Sequence, residues 1–261
     1  MTHPIYDFTG QVVLVTGGGS GIGLATAQAF AASGAAVAIA GRTAERLEAA
    51  AKSLRDETGA RIECFTADVT DGAQCAALVA DVVARLGRID VLVNNAGGGR
   101  HAPLRKFRTD KWRAEFDLNV HSAFYCAQAA ADHMIERGSG SIVHISSLAG
   151  LHGTMGVAAY SAAKAGLQMF TRVAAAEWGP RGVRVNCVAA GMIATELAQA
   201  NWAKTGFDAA GSSQAFPLRR PGRPYEVAQA VLFFASDAAS YITGEVLAVA
   251  GGPQLKGMID V

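Results

Sequence analysis

Val12-Val13-Leu14-Val15-Thr16-Gly17-Gly18-Gly19-Ser20-Gly21-Ile22-Gly23 carries the information from which the architecture unfolds. An apolar, β-branched run without polar alternation reads as a strand buried on both faces, the habit of parallel sheets covered by helices. Glycines follow at once, and Ile22 to Ala32 then shows a helical pattern. Strand, glycine turn and helix in that order aim backbone N–H groups and a helix dipole at the place where a dinucleotide's pyrophosphate binds. Gly17, Gly19, Ser20, Gly21, Ile22 and Gly23 are therefore candidate cofactor contacts. A tight structural turn would also use glycines; the opening of a βαβ unit favours binding. The spacing is T-G-x-x-x-G-x-G rather than G-x-G-x-x-G.

Outward from this turn the same rhythm repeats. Ala36 to Ala40, Arg61 to Ala67, Asp90 to Asn94, Ser141 to Ser146 and Val183 to Ala189 read as strands. Ala44 to Glu57, Ala73 to Leu86, a long helix from Thr109-Asp110 to about Arg137, and Val157 to Trp178 read as the helices between them. A helix near Glu226 to Ser236 and a last strand near Glu245 to Val249 close the chain. The expectation is an α/β fold, a doubly wound and mainly parallel Rossmann-type sheet, in a single domain over residues 1–261. Met192 to Arg223 breaks the rhythm. It is too long for an ordinary connection and is expected to be a substrate lid.

Composition narrows the function. The chain has 261 residues, 51% of them hydrophobic, and a formal net charge of +1, so it can bury a large core but offers no concentrated basic surface. Nucleic-acid and membrane-surface partners are not expected; a small-molecule substrate is. Cys64, Cys75, Cys126 and Cys187 are far apart, form no C-x-x-C pair and read as core residues of a reducing compartment. Met1 to Gly10 lacks a basic and apolar leader pattern, no run is apolar enough to span a bilayer, and Ile259-Asp260-Val261 matches no common address. A cytoplasmic enzyme is the expectation.

The second strand ends at Gly41-Arg42, where the adenosine ribose of a bound dinucleotide would lie. No carboxylate stands at Gly41, and Arg42 offers a planar cation suited to a 2′-phosphate, so NADP(H) is favoured, with NAD(H) the alternative. Arg42 could also be an ordinary solvated arginine. Tyr160 and Lys164 are four apart on a helix and share a face. An ammonium beside a phenol stabilises the phenolate, which would make the tyrosine a usable acid near neutral pH. Ser146-Ser147 ends an apolar strand at the edge of the sheet where open α/β folds bind ligands. Tyr-x-x-x-Lys alone occurs by chance on solvated helices; the serine pair gives it weight.

Together these residues resemble the short-chain dehydrogenase/reductase superfamily in its single-domain ketoreductase and alcohol dehydrogenase form, 3-oxoacyl-carrier-protein reductases included. The matches run in order through the glycine turn, Asp68-Val69, Asn94-Asn95-Ala96-Gly97, Asn119, Ser147, Tyr160-Ser161-Ala162-Ala163-Lys164 and Gly191-Met192-Ile193-Ala194-Thr195. The resemblance selects Ser147 over Ser146 and implies a catalytic tetrad of Asn119, Ser147, Tyr160 and Lys164. Asn119 would distort its helix and anchor a water in a proton relay. The resemblance further implies Asp68 and Val69 around the adenine, Asn94 beside the adenosine ribose, Ala96, Gly97 and Gly191 among the cofactor contacts, and Ile193 and Thr195 at the nicotinamide carboxamide, with Tyr160 and Lys164 touching the cofactor too. Asp68 could equally cap a helix, and Asn94-Asn95 could tie strands together.

Two positions depart from the pattern: Ala190 replaces the proline before the nicotinamide-loop glycine, and Val249-Ala250-Gly251-Gly252 lacks an acid. The implied reaction is hydride transfer between a nicotinamide cofactor and a carbonyl or secondary alcohol. Its rivals are reduction of an enoyl or dienoyl thioester and, outside catalysis, nucleotide sensing; the intact tetrad argues against both. His101, His152, Met155, Trp202 and Phe207 are expected in the substrate wall, the histidines lacking metal-ligand spacing, so no metal is expected. Ala158, Ala159, Ala162, Ala163 and Ala165 permit close helix packing, and the resemblance implies a homodimer or homotetramer built on that helix and the long one before it.

Overall fold

The computed structural model describes residues 6–253, so the first half of Met1–Gly10 and the terminus Ile259-Asp260-Val261 lie outside the described residues. Seven strands, β1 (Val12–Thr16), β2 (Ala36–Gly41), β3 (Ile62–Thr66), β4 (Val91–Asn94), β5 (Gly140–Ser147), β6 (Val183–Ala190) and β7 (Val246–Val249), pair in parallel in the order β3-β2-β1-β4-β5-β6-β7. The order reverses between β1 and β4, which opens a crevice at their carboxyl ends. Between the strands run α1 (Gly21–Ala32), α2 (Ala44–Thr58), α3 (Gly72–Leu86), α4 (Thr109–Phe116), α5 (Ser122–Arg137), α6 (Ala149–His152), α7 (Ala158–Trp178), α8 (Glu196–Thr205), α9 (Ala209–Ser213) and α10 (Pro224–Ala235).

The unalternating strands are explained by two cores. Val13, Val15, Val91, Val93 and Ile145 point into one, with Phe30 of α1 and Val227 and Val231 of α10. Val12, Leu14, Leu92 and Ile142 point into the other, with Leu78 of α3 and Cys126 and Ala130 of α5. The residues of the central strands β1 and β4 therefore meet apolar cover on whichever side they face. Cys75, Cys126 and Cys187 are buried and unbridged, Cys64 half-buried.

Two elements differ from the sequence reading. The expected helix Thr109 to Arg137 is interrupted by a π-helical turn over Asp117–His121. Asn119 Nδ2 donates to the Glu115 carbonyl at 2.9 Å, the acceptor that an α-helix reserves for the Asn119 backbone N–H, and the register slips by one residue. The segment 192–223 is not loop throughout but carries α8 and α9, and its ends are tied: Ala194 N–H donates to Gly222 O and Gly222 N–H to Met192 O, both at 2.8 Å.

Candidate active site

A cleft of about 760 Å³ runs along the carboxyl edge from the glycine turn to α7, a size within the usual span of cofactor sites. Gly17, Gly19, Ser20, Gly21 and Ile22 line it. Ser20 occupies the N-cap of α1 but makes no side-chain cap bond, so the first amides of that helix are uncapped where they meet the cleft. Gly23 stands behind the turn rather than in the cleft. A β-carbon there would lie 2.2 Å from the Gly17 carbonyl oxygen, so this glycine lets helix and turn pack.

Arg42, Asp68 and Val69 line the end of the cleft beside the glycine turn, beyond β2 and β3. Asp68 Oδ1 accepts from the Thr70 N–H at 3.0 Å and the Thr70 hydroxyl at 2.8 Å. Those bonds, with a smaller contribution from Arg42, hold its carboxyl below the usual range. Asp71, not Asp68, caps the next helix, accepting from Ala73 and Gln74. Arg46, which sequence reasoning missed, also lines this end, its stem 3.4 Å from where a Gly19 β-carbon would sit. Its signal was spacing: Arg42 and Arg46 flank the start of α2.

The structure does not bring Asn94 to the cleft. Its side chain is 4% exposed, donating to the Ala123 carbonyl at 3.2 Å and meeting His144 Nδ1 at 3.2 Å. As the last residue of β4 it points under α5, while the next residue turns the other way. Asn95 is the one at the cleft, and its Nδ2 donates to Thr16 O and Gly17 O, tying β4 to the glycine turn. Ala96 and Gly97 follow it along the wall.

Ser147, Tyr160 and Lys164 converge in the middle. Ser147 ends β5, its hydroxyl accepting from the Ala149 N–H at 3.1 Å and close enough to the Tyr160 phenol to favour its ionised form. Lys164 is 3% exposed; its Nζ donates to the Ile145 carbonyl at 2.8 Å and lies 5.7 Å from the Tyr160 ring centroid. Burial pushes the lysine down to about 8. Burial also holds the phenol above its ordinary value, against the pull of the Ser147 hydrogen bond. The lowering of Tyr160 expected from its lysine thus does not come from the protein groups alone, since both groups share a low dielectric that penalises charge. Asn119 is buried, its Oδ1 accepting from Gly98 N–H at 3.1 Å and its Nδ2 donating to Gly98 O at 2.8 Å. A β-carbon on Gly97 would lie 2.9 Å from Asn119 Oδ1 and 3.0 Å from Lys164 Nζ, so only glycine leaves these two groups together.

Gly191, Ile193 and Thr195 line the cleft beyond Ser147. Thr195 is also the N-cap of α8, its hydroxyl accepting from Ala198 N–H at 3.1 Å. Ala190 ends β6 without the proline, and its carbonyl still anchors Leu148 N–H at 3.0 Å. His101, His152, Met155 and Phe207 are exposed and Trp202 half-buried; none lines the cleft.

The family described as Enoyl-(Acyl carrier protein) reductase matches residues 17–254. The 3-oxoacyl-[acyl-carrier-protein] reductase FabG of Chlamydia trachomatis serovar D is 39% identical over 249 residues, covering 93% of this chain and 96% of that protein. Among solved structures, a short chain dehydrogenase/reductase family protein is 43% identical with a TM-score of 0.83, over 94% of this chain and 98% of the other. The L-sorbose reductase of Gluconobacter frateurii, complexed with NADPH and L-sorbose, is 32% identical with a TM-score of 0.90, over 98% and 100%.

Proposed function

The chain belongs to the short-chain dehydrogenase/reductase family and is an NAD(P)-dependent oxidoreductase acting on carbonyl and alcohol groups, and on that premise we propose that Ser147, Tyr160, Lys164 and Asn119 are its proton-handling residues. The observation that carries this reading is the convergence of Ser147 and Tyr160 on one stretch of the cleft with the buried Lys164 ammonium beside the Tyr160 ring. The cofactor, when bound, supplies the hydride in reduction or takes it in oxidation. Its place is favoured by the uncapped start of α1 and by the gap at Gly97. Gly17, Gly19, Ser20, Gly21, Ile22, Asn95, Ala96 and Gly97 would hold its phosphates and ribose, Asp68 and Val69 its adenine, and Gly191, Ile193 and Thr195 its carboxamide.

In reduction the Ser147 hydroxyl donates to the substrate carbonyl oxygen and fixes it beside the phenol. Tyr160 then gives its proton to that oxygen. The phenolate left behind is stabilised by the Lys164 ammonium, which at neutral pH is still mostly protonated. Asn119 holds Gly98, and with it the wall beside the lysine.

NADP(H) is the preferred cofactor in this reading, because Arg42 and Arg46 both flank the adenosine end and no acid stands at Gly41. The substrate is a small carbonyl or alcohol, with 3-oxoacyl thioesters the first class to try. Residues 192–223 act as its lid: their ends are pinned at Ile193 and Gly222, and α8 buries none of its residues. Reduction of a thioester double bond, named by the matching family, is the second reading; a serine hydroxyl beside the tyrosine in the cleft suits a carbonyl oxygen better. The protein works in the cytoplasm; among the described residues no helix is long and apolar enough to cross a membrane. It works as a homodimer or homotetramer. Ala162, Ala165, Met169 and Val173 form an exposed stripe on α7, beside a groove of about 370 Å³ that Phe124 and Phe170 line.

Tyr160→Phe tests the assignment. It removes the proton donor and little volume, so turnover of carbonyl substrates should be lost while fluorescence titration shows near-unchanged cofactor binding. A variant that keeps more than a few per cent of the wild-type rate would refute the role of Tyr160.

A further inference from the structure

Glu115 is a buried acid that the chemistry above leaves unused. It sits near the end of α4, 4% exposed, although carboxylates are seldom buried without a purpose or a partner. Three elements meet it. On its own side, Asn119 Nδ2 approaches Oε2 at 3.4 Å. From the loop after β4, the Arg100 charge acts on the carboxylate. From α7, Lys164 and Tyr160 lie within reach of its charge. The same loop abuts the tyrosine: a β-carbon on Gly99 would fall 2.8 Å from Tyr160 Cγ. Asn119 holds this loop at Gly98, and Glu115 meets Asn119 through both its carbonyl and Oε2.

We propose that Glu115 is a positioning residue for proton transfer, bracing Asn119 and through it the Gly98 loop against the Tyr160 ring, and standing as a fixed charge behind the Tyr160–Lys164 pair. The inference rests on the reading of Tyr160 and Lys164 given above. A fixed negative charge in a low-dielectric pocket favours the protonated forms of both neighbours, so it acts as a counter-ion to the Lys164 ammonium and a brake on phenolate formation. Burial holds the carboxyl of Glu115 itself above its usual range, while Arg100 and Lys164 pull it back. Ser147 on the phenol and Cys187 beside the lysine complete the groups that bear on the pair. At the alkaline pH where a phenol titrates, Glu115 is an anion.

The test is ultraviolet difference titration of tyrosinate on the full chain, with Tyr160→Phe subtracted so that the Tyr160 transition is isolated. Glu115→Gln keeps the shape and an acceptor for Asn119 Nδ2 but loses the charge; its Tyr160 midpoint should fall by roughly half a pH unit or more. Arg100→Gln removes the opposing cation and should move the midpoint up. Glu115→Ala, which also removes the acceptor that braces Asn119, should speed hydrogen exchange at the Gly98 amide where Glu115→Gln does not. A Glu115→Gln midpoint that is unchanged or higher overturns the proposal, and if that variant does not fold, an unchanged Arg100→Gln midpoint overturns it. The readout needs no turnover. Activity surviving in Tyr160→Phe would therefore defeat the proton-donor reading alone, and a silent titration beside an inactive Tyr160→Phe would defeat this inference alone.

Discussion

His144 lies on β5 directly opposite Asn94 of β4, fully buried, and its imidazole should make the protein lose stability in mild acid. Asn94 Nδ2 reaches Nδ1 at 3.2 Å, and neither His144 Nε2 nor Asn94 Oδ1 has a partner. With the asparagine donating, the imidazole is neutral and carries its proton on Nε2. Burial, with the nearby Lys164 charge, lowers its pKa from 6.5 to about 3. The folded value lies below the unfolded one, so the stabilisation is complete above about pH 6.5 and is lost as pH falls toward about 3, because the unfolded chain binds the proton first. Between about pH 7 and about pH 5 this one residue should remove about 2 kcal/mol, approaching ~1.4 kcal/mol per pH unit lower down. Urea unfolding of the wild type and of His144→Asn at both pH values and one protomer concentration reads the effect. The packing cost of the smaller side chain is the same at both pH values and cancels in the comparison. The variant should therefore lose about 2 kcal/mol less than the wild type over that interval. Equal losses would mean that His144 is protonated in the folded protein or shielded by a group that titrates with it, and the argument from burial would fail.

Because burial brings Lys164 to about 8, kcat/KM for carbonyl reduction should be flat below that pH and fall about tenfold per unit above it as the ammonium is lost; a profile flat to pH 10 or so would show the lysine charge to be dispensable. Arg42→Ala and Arg46→Ala should each weaken NADP(H) binding by about tenfold, the low end for charge-assisted contacts because both side chains are exposed, and leave NAD(H) unchanged. Isothermal titration with both cofactors at one ionic strength checks this, and equal losses for the two cofactors would refute it. Gly97→Ala drives a methyl between Asn119 and Lys164, so turnover should drop at least about tenfold with little change in melting temperature; near-wild-type kinetics would show that the gap is not needed.

What the sequence made legible follows from how local each signal was. The sheet and its covering helices could be read because each strand declares its two-sided burial in consecutive residues, Val12 to Val15 above all, and because the glycine turn joins strand to helix without intervening chain. Tyr160 and Lys164 were legible through their four-residue spacing, which helix geometry converts into a shared face, and Ser147 through its place at a strand end together with the resemblance. The π turn could not be read from periodicity, since it arises when one side-chain amide takes a backbone acceptor; only the resemblance pointed to Asn119. α8 was invisible for the opposite reason: it buries nothing and so leaves no apolar stripe.

Asn94 shows where a motif misleads. A two-residue asparagine pair at the end of a strand sends its side chains to opposite sides, and which of them faces the cleft is decided by the register of β4 against β1 and β5, not by the pair itself. Val91 and Val93 face the core under α1 and α10, so Leu92 and Asn94 must face α5, and Asn95 is left at the cleft. The same parity puts His144 beneath α5 beside Asn94. Glu115 is harder still, because a glutamate near the end of a charged helix looks solvated until the chain beyond it folds back as the Gly98–Arg100 loop and α7 close over it. The residues that tune the candidate site, as opposed to those that name its chemistry, are thus buried by contacts between distant segments. That burial shifts their acidity, and no local pattern records it.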